Sequence, residues 1–391
     1  MEFDLSWILL GLPLAFVLGW LASRLDLRQL RIENRQAPKA YFRGLNFLLN
    51  EQQDQAIDAF IEAVQSDPDT TELHFALGNL FRRRGEYERA VRVHEHLLSR
   101  ADLGTADRHR AQHALALDFL KAGLLDRAET ALRKLEGTAF EAEAGLALLA
   151  IYERSRDWPH AVDIAQKLEA GGHGHFEVRR AHYLCEQAQQ AQQAGAAGAA
   201  GAAGAAGAAG VGELLRQALS LGAASARPGL ALARWQHDNG DAAAAFDTLG
   251  QTAQSVPSAM PLLAGLMAET ALACQRTDQA MALLRANYAL RPSLDVMEAL
   301  ARLDPDEPAR DWYLRHLEHE PSLVAAAKWI AGEKLEHEQF HPQVQRALDH
   351  AVKPLTRYRC AACGFEARQH FWQCPGCQTW DSYPARRVEE L

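Results

Sequence analysis

The pattern of apolar and polar positions repeats itself along the middle of this chain. Ala40, Gly44, Phe47, Ala56, Phe60, Ala63 and Pro68 mark a first unit, beginning near residue 38. A shift of about 34 residues carries Gly44, Phe47 and Ala56 onto Gly78, Phe81 and Ala90. Gly85 and Tyr87 complete the turn of that second unit. A third unit carries Ala116, Phe119, Gly123 and Ala128, and a fourth Leu149, Tyr152, Trp158 and Ala161. The marks thin out after that: Gly240-Asp241 before Ala245, then Thr277-Asp278 before Ala280. This is the tetratricopeptide pattern, one helix–turn–helix per unit. Small residues stand where the two helices of a unit cross, and large ones fill the gaps between units. One such unit cannot bury its apolar face alone, so the pattern predicts an all-α solenoid of stacked units. Beyond Pro292 it predicts three further helices, over 306–318, 322–340 and 343–352, that cap the array.

The fifth unit is interrupted. A helix over 176–194 and a partner over 211–221 flank a run in which glycine recurs every third residue from Gly195 to Gly210. No lysine follows it and no strand precedes it, so it is no phosphate loop. It lacks the proline of collagen. Glycine opposes the helix that alanine favours, and the run reads as a flexible or frayed insertion.

Two other stretches break the pattern. Leu5 to Ser23 carries no charge, and as a helix it would be about 28 Å long, close to the thickness of a bilayer core. Trp7 and Trp20 stand near its ends, where interfacial aromatics belong. Glu2 and Asp4 precede it in place of the positive start of a signal peptide. Arg24, Arg28, Arg31, Arg35, Lys39 and Arg43 follow it. By the positive-inside rule the N-terminus faces out and the rest of the chain is cytoplasmic.

The last stretch holds four of the six cysteines. Cys360 and Cys363 form one Cys-x-x-Cys pair, Cys374 and Cys377 a second, with ten residues between the pairs. Two intervening residues let one tight turn aim both sulfurs at a single ion, and two such turns close a tetrahedral site. Gly364 follows the first pair and Pro375 sits inside the second. A reducing cytoplasm argues against two disulfides. A lone redox pair needs a βαβ setting, which is missing here. A sulfur-only tetrahedron suits zinc or iron. Four filled positions leave none for water, so the role is structural or electron-transferring, not hydrolytic. Cys185 and Cys274 read as core residues of apolar helices.

The chain's 391 residues allow two or three domains, and its net charge of −9 offers nucleic acid no basic field. His337, Glu338 and His341 match the H-E-x-x-H signature of zinc proteases. Pro342 disfavours helix at His341, however, so the second ligand would fall at a helix end. The match reads as chance, and the chain as no enzyme.

Anchor, array and cysteine module in this order resemble the bacterial lipopolysaccharide assembly protein B family over nearly the whole length. The stretch from Pro38 through Tyr41, Phe42, Arg43 and Gly44 to Asn46 carries the resemblance, as does Tyr358-Arg359-Cys360 to Cys377. The resemblance implies an anchor over 1–24, a basic juxtamembrane linker over 25–37, a solenoid over 38–352 with the insertion at 195–210, and a rubredoxin-like or zinc-ribbon module over 353–391. It implies one iron or zinc ion on Cys360, Cys363, Cys374 and Cys377. The ten-residue separation is shorter than in a true rubredoxin, and Gln378 stands where the second knuckle has glycine. Both favour a structural metal over electron transfer. The family sits in the inner membrane of Gram-negative bacteria. It limits lipopolysaccharide synthesis by bringing the lipid A deacetylase to the membrane protease FtsH. The implied partners are these two, other lipopolysaccharide assembly proteins and, as a homodimer, a second copy of the chain. A rubredoxin-type electron carrier and a metalloprotease are the rival readings.

Overall fold

A computed structural model describes residues 16–17, 20, 42–47, 49–50, 52–66, 70–198, 202–222, 224–333 and 341–391. The anchor expected over Leu5–Ser23 (three residues excepted), the linker expected over 25–37, and His337 and Glu338 lie outside them. Among the described residues no single helix is long and apolar enough to cross a membrane. The chain forms two compact units, residues 1–155 and 156–391.

The first unit holds α1 (Gln53–Ser66), α2 (Thr71–Arg84), α3 (Tyr87–Ser99), α4 (Thr105–Lys121), α5 (Leu125–Arg133) and α6 (Glu141–Ser155). The 34-residue register has a physical basis here. A Cβ placed on Gly44 would lie 2.9 Å from the Phe60 ring, and one on Gly78 2.5 Å from the His94 ring. Each glycine lets the partner helix cross close, sixteen residues further on in both cases. His94 lies beneath Gly78, fully buried, and pairs with the buried carboxylate of Asp118. Arg82 donates to the other oxygen of that carboxylate at 2.9 Å and to the Ala114 carbonyl at 3.1 Å. This network ties three successive helices, α2, α3 and α4.

The second unit continues the pattern with α7 (Trp158–Ala170), α8 (Glu177–Gly198), α9 (Ala202–Ser220), α10 (Arg227–Asp238), α11 (Ala242–Ser255), α12 (Met260–Ala273) and α13 (Thr277–Leu290). Then come α14 (Leu294–Leu303), α15 (Ala309–His319), α16 (Leu323–Ala331) and α17 (His341–Val352). α12 is apolar over most of its surface because most of it is covered: Met260, Leu263, Ala264, Met267, Ala268 and Ala271 are all buried, while Gly265, Glu269 and Leu272 face solvent.

One turn joins the hairpins. Gly85, Gly123, Gly240 and Gln275 all have positive φ, between 58° and 85°. The next N–H then reaches back to a carbonyl five residues earlier: Glu86 to Phe81, Leu124 to Phe119, Asp241 to Gln236 and Arg276 to Ala271, each at 2.8–2.9 Å. Arg156 has the same conformation, and Asp157 after it caps α7 through the His160 N–H. The Asp241 side chain likewise caps α11 through Ala244.

Of the alanine–glycine run, residues 199–201 lie outside the described ones, and the described parts on either side are helical. α8 continues to Gly198 and α9 begins at Ala202. Upstream and downstream stems pack as a pair through Leu184, Cys185, Ala188, Val211, Leu215 and Ala218. A nucleated helix then only has to propagate, and two alanines accompany each glycine, whose cost is about 1 kcal/mol.

Candidate metal centre and its seat on the helices

The chain beyond α17 forms a small ribbon. β1 (Tyr358–Arg359) pairs antiparallel with β2 (Glu366–Ala367), and a single bridge joins Gln373 to Trp380. Between these lie two knuckles of one design. The Cys360 N–H donates to the Phe365 carbonyl at 2.9 Å, and the Gly364 N–H to the Cys360 carbonyl at 2.9 Å. In the second knuckle Cys374 N–H donates to Thr379 at 3.0 Å, and Gln378 N–H to Cys374 at 2.8 Å. Gly364 has φ 78° and Gln378 φ 59°. A glutamine therefore adopts the left-handed conformation that the second knuckle demands, and the two turns are equivalent despite the sequence difference.

The four sulfurs lie within 4.8 Å of one another. Cys360 Sγ is 3.8 Å from Cys377 Sγ, and Cys363 Sγ 3.7 Å from Cys374 Sγ. A tetrahedron of sulfurs about 2.3 Å from a central ion has edges of about 3.8 Å. The donor set therefore fits one ion with all four positions filled. Among the described residues this is the one group of three or more His, Cys, Asp or Glu side chains placed to hold a metal.

The electrostatics point the same way. Burial opposes ionisation of Cys360, but the Ser382 hydroxyl, at 3.3 Å, and the N–H groups of Cys363 and Ala362 outweigh it and bring the thiol down to about 6. At Cys363 the Phe365 N–H favours the thiolate, yet burial and the three neighbouring sulfurs push the thiol up to about 12. Cys377 is lowered, first by the Thr379 hydroxyl at 3.3 Å. Four sulfurs this close cannot all be thiolates without a cation among them. The site is also lopsided: Cys360 and Cys374 are buried, whereas Cys363 and Cys377 face solvent.

The residues just past the second knuckle seat the ribbon on the helices. The Trp380 ring stacks on His182 of α8, centroids 4.7 Å apart and 17° from parallel. It meets Trp158 and Tyr183 edge-on at 6.2 and 6.0 Å, and the Arg227 guanidinium lies 5.7 Å from its centroid. Asp381 accepts from His182 Nε2 at 2.8 Å and from Ser225 Oγ at 3.2 Å. Arg227 donates to His182 Nδ1 at 3.5 Å and to Glu186 at 2.6 Å. Both nitrogens of His182 thus have partners. Burial holds its pKa below the ordinary value, against the pull of Asp381. Asp381 has φ 48°, so backbone strain at this residue is held by the contacts its side chain makes.

The link from seat to sulfur is short. The Ala361 N–H donates to the Ser382 carbonyl at 2.7 Å, and the Asp381 N–H to the Trp372 carbonyl at 2.8 Å. The tail then crosses to later helices. Arg387 grips Asp295 of α14 with two bonds of 3.0 and 2.7 Å. Glu390 accepts from the Leu294 N–H at 2.6 Å. Glu389 accepts from Ser322 Oγ at 2.8 Å and from the Val324 N–H at 3.0 Å. Two helix N-termini are capped by carboxylates from the end of the chain. Beside the seat, a groove of about 630 Å³ runs between α8, α10 and the ribbon, lined by Gln189, Gln192, Gln193, Arg234, Trp235 and Trp372.

Sequence reasoning placed the four cysteines together but missed the seat. His182 and Ser225 lie 199 and 156 residues from Asp381, and no local signal marks them. Cys185 is buried in α8, its thiol pushed up to about 11 by burial, and Cys274 follows the end of α12, half-buried. His341 opens α17.

Comparison with known proteins follows this division. A family model described as a rubredoxin metal binding domain matches residues 358–383, and a tetratricopeptide repeat model matches 73–108. Lipopolysaccharide assembly protein B of Escherichia coli (strain K12) is 29% identical over 399 aligned positions, 99% of this chain and 100% of that protein. Its Haemophilus influenzae namesake is 27% identical and covers 96% of each chain. A tetratricopeptide repeat protein from Parabacteroides merdae, 14% identical, covers 68% of this chain and 98% of its own with a TM-score of 0.33. The chain resembles lipopolysaccharide assembly protein B from end to end. Its fold is a mostly helical tetratricopeptide array with a C-terminal metal-ribbon module.

Proposed function

We propose that this chain is a non-enzymatic, membrane-tethered adaptor in lipopolysaccharide assembly. The observation that carries the reading is the end-to-end match to two proteins of that name, beside the repeat and ribbon models that match this chain. Residues 1–24 anchor the chain in the bacterial inner membrane with the N-terminus outside, and 25–37 are the basic linker. Residues 38–352 are the binding array on the cytoplasmic side. Residues 353–391 hold one zinc or iron ion on Cys360, Cys363, Cys374 and Cys377.

The finer mechanism is regulatory. The array brings the lipid A deacetylase to the membrane protease FtsH and so limits lipopolysaccharide synthesis. Stacked repeats offer an extended surface on which two partners can bind at once. Tethering confines all three proteins to one membrane and raises their effective concentration. The seated ribbon supports a structural role for the metal, since its contacts hold helices in place.

The test is capture of the full chain from native membranes, with the half-life of the deacetylase followed in the same cells. Co-purification of the protease and deacetylase, and a deacetylase that persists when the chain is removed, are expected. A deacetylase lifetime indifferent to the chain would refute the mechanism. One observation favours a second reading, electron transfer: two ligands of the site face solvent. An iron form that cycles reversibly between oxidation states would establish it, and a zinc ion would end it.

A further inference from the structure

We infer that the cysteine centre is an oxidant-sensitive latch: a peroxide reaches it at Cys363 or Cys377, a disulfide forms across the two knuckles, and the ribbon leaves its seat. This rests on the metal reading above and goes beyond it. Three observations carry it. The first is the lopsided burial, with Cys363 and Cys377 open to solvent and Cys360 and Cys374 covered. A metal-bound thiolate is a nucleophile, and susceptibility to oxidation follows thiolate character and exposure. The second is distance. The partner 3.7 Å from exposed Cys363 is buried Cys374, and the partner 3.8 Å from exposed Cys377 is buried Cys360. Each exposed sulfur thus has its resolving partner on the opposite knuckle. The third is coupling. Ser382, which touches Cys360 through its hydroxyl and Ala361 through its carbonyl, follows directly on Trp380 and Asp381, the residues that seat the ribbon.

The chemistry balances with one peroxide per centre. An exposed thiolate attacks a peroxide oxygen, the O–O bond breaks, and a sulfenic acid and a hydroxide result. The thiolate across the knuckles attacks that sulfur, forms the S–S bond and expels a second hydroxide. Two protons from solvent turn both hydroxides into water. Two thiolates have lost two electrons and the peroxide has gained them. Only two thiolates would then remain to hold an ion, too few to close the site. A disulfide needs its sulfurs about 2.05 Å apart, so the two sulfurs across the knuckles must close by about 1.7 Å. That movement pulls on the Ala361–Ser382 bond and on the strained backbone at Asp381. The consequence is exposure of Leu262, which packs against the ribbon core, and widening of the groove beside it.

The experiment uses the full chain in detergent, loaded with zinc and titrated with hydrogen peroxide. Metal content is measured first. A chain that binds no metal defeats both the metal reading and the latch. With metal bound, the expected result is release of about one zinc per chain, as a closed four-thiolate site holds one. Mass spectrometry should find Cys363–Cys374 or Cys360–Cys377 linked. Protease cleavage after residue 352 should appear in step with zinc release, and thiol reductant plus zinc should reverse all three. Zinc retained in excess peroxide overturns the latch while leaving the metal reading intact. So does zinc lost with all four thiols still open to alkylation, a disulfide confined to one knuckle, or oxidation that leaves the ribbon protected from protease.

Discussion

Trp380→Ala separates the metal site from its seat, and its effect can be worked from the contacts. The indole stacks on His182 and meets Trp158 and Tyr183 edge-on. Trp158 and Tyr183 are 2% and 0% exposed, so no solvent fills the space that the indole vacates without wetting a core. Large-to-small changes of this kind cost about 3–5 kcal/mol. Trp380 is itself only partly buried, which places the loss near the lower end, about 3 kcal/mol. That is about a 150-fold shift of the seated–unseated equilibrium. The substitution leaves all four sulfurs and both knuckle turns untouched. Metal content should therefore stay at the wild-type level. Hydrogen exchange of residues 380–391 and of the first turns of α14 and α16 should rise by about two orders of magnitude. If exchange is unchanged, the ring contacts do not hold the ribbon. If metal is lost together with protection, seat and site are not separable and the reasoning fails.

Cys374→Ser should abolish metal binding and unfold the ribbon, since about thirty residues cannot offset an ordering cost of about 1–2 kcal/mol each without the ion. Metal analysis and protease sensitivity beyond residue 352 check it, and retained metal refutes it. Gln378→Gly should leave the ribbon as stable or raise its melting temperature, because a non-glycine residue in the left-handed region costs about 1 kcal/mol. A clear loss of stability would show that the Gln378 side chain matters more than its backbone. Asp118→Ala strands buried His94, removes one acceptor of Arg82 and should cost about 3–5 kcal/mol in denaturant melts; a loss under 1 kcal/mol would refute the network's role. Burial holds the pKa values of His182, His316 and His370 below the ordinary imidazole value. The unfolded chain then takes up protons at higher pH than the folded one. Stability is full above about pH 6.5 and falls as pH drops through the window below it. Thermal melts between pH 7.5 and 5.5 should show this decline, and a flat or rising midpoint would contradict it.

How much of this was legible in the chain depends on what each residue needed. Gly44 and Gly78 betray the repeat because a helix crossing demands the absence of a side chain, and Gly85, Gly123 and Gly240 betray the turns because positive φ favours glycine. Where Arg156 and Gln275 take the same backbone conformation, the turn persists without its glycine signal. The cysteines were legible because ligand spacing is local. Gln378 was read as a departure from the knuckle, but its backbone follows the glycine pattern. The seat stayed hidden because its partners come from distant parts of the chain and are ordinary residues such as His182 and Ser225.

The seat also changes the order of the second unit's unfolding. A stack of repeats is one-dimensional: each hairpin leans on its neighbours, and the ends can melt while the middle stands. The ribbon and its tail touch Trp158 and His182 near the beginning of this unit and Asp295 and Ser322 near its end. They join the two ends of what would otherwise be an open row, like a strap across a book. No terminal hairpin can then melt without first breaking the strap, and a loss at either end is felt at the other. A row that would come apart piece by piece becomes a closed circuit that holds or fails together, and the four-cysteine ribbon is its clasp.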